Sequence, residues 1–266
     1  MSAKIIVFAN EKGGTGKSTL AMHIMVALMR LGKKVVSFDL DYPQGTLTHY
    51  IENREAFSKT MGTPMPTSKH IVWNDDMARI YTLQGEIDKV KETADFIIID
   101  TPGAVTELSQ EAMIMADTLV TPINDSLVDL DVLAQIDTNT IKIKGPSHFS
   151  QVVWSTRQQR MMERKPSLHW VVVRNRLTYS KSKNSQLMTV LLNALSRRIH
   201  YTLSAGISER VVFRELFLKG LTMLDLKENG LNMPTSISAT TAKKEIMELM
   251  QNIFPKGKDL LPEDPA

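Results

Sequence analysis

Residues 11 to 19 read Glu11-Lys12-Gly13-Gly14-Thr15-Gly16-Lys17-Ser18-Thr19, a run of glycines, cations and hydroxyls. Glycines let a backbone curl until successive N–H groups point inward, and such a curl cradles phosphate oxygens. A helix starting at its end adds the positive pole of its dipole. In that setting Lys17 reaches the β- and γ-phosphates, the Ser18 hydroxyl binds Mg²⁺, and Thr19 contacts the α-phosphate. The loop therefore predicts bound ATP and Mg²⁺, with Gly13, Gly14, Thr15, Gly16, Lys17, Ser18 and Thr19 as the nucleotide-binding set. The string departs from the usual phosphate loop. Glu11 stands five residues before Gly16, where a glycine is expected, and Lys12 is an extra cation.

Two later segments carry acidic residues at the ends of apolar runs. Asp39-Leu40-Asp41-Tyr42-Pro43-Gln44-Gly45 follows Val35 to Phe38, and Asp100-Thr101-Pro102-Gly103 follows Phe96 to Ile99. In open α/β sheets, ligands bind at the carboxyl ends of strands. Asp100 has the Walker B arrangement, a carboxylate that fixes Mg²⁺ through water. Gly103 can offer an unobstructed N–H to the γ-phosphate. The residues alone leave Asp39 and Asp41 open to a plainer role, ending the strand and capping the next turn. Asn175, just past Trp170 to Val173, is likewise a residue type common in turns.

These residues need a scaffold. Ile5 to Ala9, Val35 to Phe38, Phe96 to Ile99, Thr118 to Thr121 and Trp170 to Val173 are short, β-branched or aromatic runs that suit strands covered on both faces. Helical patterns separate them at Ser18 to Leu31, Gly85 to Thr93, Leu108 to Met115, Asn184 to Arg198 and Ala242 to Ile253. The alternation predicts a doubly wound α/β fold with a mostly parallel sheet, the P-loop NTPase arrangement. One ATPase domain over 1–254 is expected, with 60–68 as a surface loop and 255–266 as a disordered tail. The chain has 266 residues and no cysteine, which excludes disulfides, iron–sulfur clusters and thiolate metal sites. No signal peptide or membrane span is read, so a cytoplasmic location is expected. Residues 142 to 220 hold 15 Lys and Arg against Glu163, Glu209 and Glu215, while the rest of the chain is net acidic. That asymmetry suits a polyanion partner or a set of solvated basic helix faces, and the residues leave both open.

The Lys-Gly-Gly-x-Gly-Lys-Ser form of the loop resembles the deviant Walker A motif of the ParA/MinD ATPases. The resemblance implies that Lys12 crosses a dimer interface to the partner's nucleotide, making a homodimer when ATP is bound. It implies that Asp41 orients the attacking water, that Asp39 helps hold the Mg²⁺ shell, that the Gly103 loop is a switch, and that Asn175 reads adenine. Lys12, Lys17 and Asp41 are thus the catalytic set, and Ser18, Asp39 and Asp100 the metal set. Relatives of the MinD type end in a basic membrane helix. Here Glu245 and Glu248 interrupt the last amphipathic helix, which predicts core packing and no stable membrane anchor.

Outside these motifs, Asn124 to Asp129, Val153-Trp154, Trp170 to Leu177, Arg214 to Phe217 and Gly220 to Leu226 resemble the MipZ branch of the family, over residues 3 to about 250. That branch positions the division plane. The resemblance implies ParB binding by monomers near the poles, nonspecific DNA binding on the nucleoid by ATP dimers, inhibition of FtsZ polymerisation, and slow turnover. Arg197, Arg198 and Arg214 are the expected DNA phosphate contacts, because sequence-neutral binding needs only cations on one face. A ParA-type partition ATPase is the alternative.

Overall fold

In the computed structural model, residues 2–137, 142–178, 182–226 and 237–255 are described. The order is β1 (Lys4–Phe8), α1 (Lys17–Arg30), β2 (Val35–Asp39), α2 (Thr46–Met61), β3 (Lys69–Val72), α3 (Asp75–Ile80), α4 (Leu83–Lys91), β4 (Phe96–Asp100), α5 (Glu107–Met115) and β5 (Thr118–Asn124). A 3₁₀ turn (Asp129–Val132), β6 (Ala134–Asp137), β7 (Lys142–Pro146), α6 (His148–Met162), β8 (His169–Asn175), α7 (Lys183–Ile199), β9 (Thr202–Ser204), α8 (Val212–Phe217) and α9 (Ile237–Ile253) follow.

The apolar runs pair into one seven-stranded sheet in the order β3-β2-β4-β1-β5-β8-β9, and every pairing in it is parallel. Alternate side chains leave each strand on opposite faces. Ile5, Val7, Ile97, Ile99 and Leu119 pack with Ile87, Met113, Phe149 and Leu192 from α4 to α7. Ile6, Phe8, Ile98 and Val120 pack on the other face with Leu20 and Ile24 of α1, Tyr50 of α2 and Leu249 of α9. This is the expected doubly wound architecture. The α9 stripe of Ile246, Leu249, Met250 and Ile253 is buried in it, as its acidic residues predict. Among the described residues no helix is long and apolar enough to cross a membrane.

The short α3 and α8 carry too few turns to be read from the sequence, and two longer helices escape the pattern for another physical reason. α2 and α6 each turn an arginine inward, Arg54 and Arg160, and both are almost fully buried. A cation on the core face breaks the apolar periodicity by which a helix is read. As a result Thr60 and Met61, expected in a surface loop, lie in the last turn of α2, and Met65 and Ser68 beyond it are buried. Residues 256–266 of the expected tail lie outside the described residues.

Arg54 organises a buried polar cluster. It donates to both oxygens of Asp225 at 2.9 Å, to Gly220 O at 3.0 Å and to Pro66 O at 2.8 Å. Asp225 also accepts from the Thr222 N–H and hydroxyl, and pairs with Arg30 of α1. Burial by itself would raise the Asp225 pKa. Arg54, Thr222 and Arg30 overcome it and pull the carboxyl down to about 2. His23 of α1 joins the same region, donating from Nδ1 to Thr19 O at 2.8 Å and accepting the Met223 N–H on Nε2 at 3.3 Å. Burial drives its pKa down to about 4.

Candidate functional site

Register brings the acidic residues to one edge. Phe8 of β1 and Asp39 of β2 both stand opposite Asp100 of β4, so the phosphate loop leaves the sheet beside both aspartates. The loop turns through Gly14 at φ +70° and Gly16 at φ +95°, a left-handed conformation that side chains other than glycine rarely adopt. At Gly16 a Cβ would also lie 2.2 Å from the Asn175 side chain. α1 begins there without a side-chain cap, which leaves its first-turn N–H groups directed at the cradle.

A cavity of about 480 Å³ opens above this loop, lined among others by Gly13, Lys17, Ser18, Thr19, Asp41 and Gly103. Lys17 is 6% exposed, and its ammonium closes the curl by approaching Lys12 O at 3.4 Å. Burial lowers its pKa, with Asp100 and Asp41 opposing. Burial raises the Asp41 pKa, with Lys17 opposing. Gly103 backs onto the loop so closely that a Cβ would sit 2.8 Å from Gly13 Cα. The Asp100 loop can therefore approach the phosphate loop this closely only with glycine at position 103.

Asp100 is fully buried and neither carboxylate oxygen is in a formed hydrogen bond. Burial pushes its pKa up to about 8, partly offset by Ser18 and Lys17 and reinforced by Asp39 and Asp41. An orphaned buried carboxylate beside a serine hydroxyl fits a Mg²⁺ shell, because a divalent cation would supply the missing partner. Among the described residues there is no cluster of three or more His, Cys, Asp or Glu suited to hold a metal alone. Such a cation would thus depend on nucleotide oxygens as well.

Three of the expected sites also have contacts within the chain. Asp39 is tied to neighbouring backbone and side chains. One oxygen accepts the Asp41 N–H at 3.0 Å, and the other accepts the Thr48 N–H and hydroxyl at 2.9 and 2.8 Å. It anchors the start of α2, so its bond to a cation would have to compete with those contacts. Asn175, expected at adenine, donates to Thr15 O at 2.7 Å and so braces the phosphate loop from β8. The arginines expected to act together are separated. Arg197 and Arg198 are exposed near the end of α7. Arg214 pairs with Glu209 at 3.2 Å and lines a different cavity, beside Gly16 and Thr19. Arg198 instead borders a cleft with Trp154 and Trp170.

That second cavity, about 380 Å³, continues from the loop past Arg176, Ser208, Arg210 and Phe213, and its apolar wall suits a flat base. Asn175, Gly16 and Thr19, all singled out in the sequence, line it, and most of the rest of its wall comes from the segment before α8 and from α8 itself. Arg176 borders both cavities. Its place directly after Asn175, at the end of an apolar run, was the available signal for it. Lys12 is held by its own chain. Its ammonium donates to Val128 O at 2.6 Å and lies 3.3 Å from Asp129.

With this geometry in hand, comparison with known proteins is informative. The family model described as ATPase MipZ matches residues 4–255. The maintenance of carboxysome distribution protein A of Halothiobacillus neapolitanus is 24% identical over 94% of this chain and 96% of that protein. The sporulation initiation inhibitor protein Soj of Bacillus subtilis is 26% identical over 53% of this chain, and the chromosome-partitioning ATPase Soj of Thermus thermophilus 29% over 48%. The matched regions span 65% and 58% of those two proteins. Among solved structures, the MinD protein of Pyrococcus horikoshii with Mg-ADP superimposes with a TM-score of 0.60 at 19% identity, covering 98% of this chain and 100% of that one. Nucleotide-free McdA of Cyanothece gives 0.61 at 18%, covering 92% and 99%. At these identities the structural likeness speaks for the fold alone.

Proposed function

The chain belongs to the MipZ ATPase family, and from that premise we propose that it is an ATP-switched dimer that positions the division plane by inhibiting FtsZ polymerisation. The observation that carries the nucleotide half of this reading is Asp100, sealed from solvent beside Ser18 and Lys17 of the phosphate loop. The regulatory half rests on the family match.

In the proposed cycle, the N–H groups of Gly13 to Thr19 and the Lys17 ammonium hold the triphosphate. Ser18 and Asp100 would hold Mg²⁺, which would supply positive charge beside the phosphates. Asp41, at the wall of the same cavity and with a raised pKa, orients the water that attacks. The Gly103 N–H faces the γ-phosphate, so release of phosphate frees that loop from Gly13 and loosens the dimer. Lys12 completes the partner's site. Arg197 and Arg198 supply the DNA contacts. ParB captures monomers near the poles, and the dimers spread over the nucleoid. Turnover is slow, so that the dimer outlives its diffusion.

The decisive assay adds the purified protein, with and without ATP, to polymerising FtsZ. ATP-dependent loss of polymer is expected, and unchanged polymer would end the division reading. A ParA-type partition ATPase is the second reading, favoured by the two Soj relatives. It keeps the dimer and the DNA binding but leaves FtsZ untouched.

A further inference from the structure

Glu245 of α9 stands next to Ile246, one residue off the apolar stripe that packs with Ile207. Its carboxylate gathers the segment that precedes α8. One oxygen accepts the Ser208 N–H at 3.1 Å and an N–H of Arg210. The other accepts the Ser208 hydroxyl at 2.8 Å and the second Arg210 nitrogen at 2.9 Å. Arg210 also donates to Ser208 O at 3.3 Å, which closes a ring of contacts around the carboxylate. Burial by itself would raise the Glu245 pKa, and Arg210 and Ser208 hold it below the usual carboxylate range.

The other edge of this segment lies on the chain leaving β8. The Ile207 N–H donates to Arg174 O at 2.8 Å, the Leu177 N–H to Ile207 O at 3.0 Å and the Glu209 N–H to Leu177 O at 2.9 Å. The fit is close, since a Cβ at Gly206 would lie 2.1 Å from the Leu177 side chain. Ile207 to Arg210 form one wall of the cavity of about 380 Å³, and Gly16 and Thr19 of the phosphate loop also line it. The wall thus has two supports, the chain after β8 and a single side chain from α9.

We propose that Glu245 is a positioning residue for the base of the bound nucleotide: from α9 it fixes Ser208 and Arg210, and through them the wall against which the base lies. This rests on the nucleotide reading above and deepens it, because it separates the hold on the base from the hold on the phosphates. The phosphate cradle, Gly13 to Thr19, is built by a different part of the chain. Removing the charge at Glu245 takes a partner from the buried Arg210 guanidinium, and a buried cation that loses a partner shifts toward water. The wall moves with it, and the cradle stays.

The test is calorimetry on the full chain with Mg²⁺, using ADP and pyrophosphate, which carries the same two phosphates and no base. Glu245→Gln should weaken ADP binding about fivefold to fiftyfold and leave pyrophosphate within about twofold of wild type. Ser208→Ala removes one of the bonds to the carboxylate and should shift the ratio of the two affinities the same way, by about twofold to fivefold. Glu245→Asp keeps the charge one methylene short and should recover part of the loss. The ratio reads positioning apart from folding, since a smaller folded fraction lowers the apparent binding of both ligands. An unchanged ratio in Glu245→Gln would overturn the proposal, whether both ligands bind as in wild type or both weaken together, and would leave the nucleotide reading standing. A wild-type chain that binds ADP no more tightly than pyrophosphate would remove the base from the cavity and the proposal with it.

Discussion

The side chains of Asp100 and Asp225 are both sealed from solvent, and their surroundings differ in every other respect. Asp225 accepts from Arg54, Thr222 and Arg30 and is held down to about 2. Asp100 has no formed hydrogen bond and is pushed up to about 8. A carboxylate saturated by partners from the chain is structural, whereas one whose few partners do not offset its burial is poised for something the chain does not contain. Both meet one helix, Asp100 at its start and Asp225 at its end. α1 carries Lys17 and Ser18 toward Asp100, and His23 and Arg30 toward the Asp225 cluster. The saturated cluster thus anchors the helix that presents the unsaturated one.

The comparison breaks most clearly at Asp225. Asp225→Ala strands two arginines near the core and should destabilise the fold by about 3–5 kcal/mol, measured by urea unfolding. A loss within about 1 kcal/mol would mean the cluster is not an anchor. The next largest effect is a pH dependence at His23. Its folded pKa of about 4 lies below the unfolded value of 6.5. Its neutral form therefore stabilises the fold fully above pH 6.5, and that contribution is lost as pH falls from 6.5 through about 4, some 3 kcal/mol in all. Asp225 does not share this window, since its contribution is lost only as pH falls below 3.8 through about 2. Urea midpoints between pH 7 and pH 4.5 should fall for the wild type and stay flatter for His23→Gln.

At the other cluster the roles reverse. Lys17→Ala should weaken ATP binding about tenfold to a hundredfold by calorimetry, with little loss of fold stability, because the ammonium is held there against its own desolvation. Asp100→Asn sharpens the contrast further. Its stability should stay within about 1 kcal/mol of wild type, while the extra ATP affinity conferred by Mg²⁺ disappears. A severely destabilised Asp100→Asn would place Asp100 with Asp225 as a structural group. The smallest effect belongs to Arg214→Ala. Its exposed pair with Glu209 should be worth less than about 0.5 kcal/mol to the fold. By contrast, Arg198→Ala should lower the salt slope of DNA binding by about 0.9.

Much of the phosphate site was legible because its chemistry is local. Gly13 to Thr19 are contiguous, their strand–helix setting follows from Ile5 to Ala9 and the stripe after Ser18, and Asp100 ends an unbroken apolar run. For Asp39 and Asn175 a motif specifies a residue type at a position. It does not specify whether Thr48 or Thr15 will reach that residue first. Arg214 was grouped with Arg197 and Arg198 by closeness in sequence, and the fold places it beside the nucleotide cavity with Glu209. α2 and α6 were hidden by Arg54 and Arg160, whose inward burial depends on carbonyls and carboxylates distant in the chain.

The sequence by itself determined the parallel sheet, the cradle and the phosphate-binding class, because strand burial, glycine curvature and helix polarity act over a few neighbouring residues. Tertiary structure decided which buried charges are satisfied. Asp225 finds Arg54 across 171 residues, Lys12 finds Asp129 across 117, and Asp100 meets only Ser18 and Lys17 of the phosphate loop as favourable partners. Whether a charged group is a strut, a latch or a ligand site depends on partners brought from afar, and only the folded chain brings them.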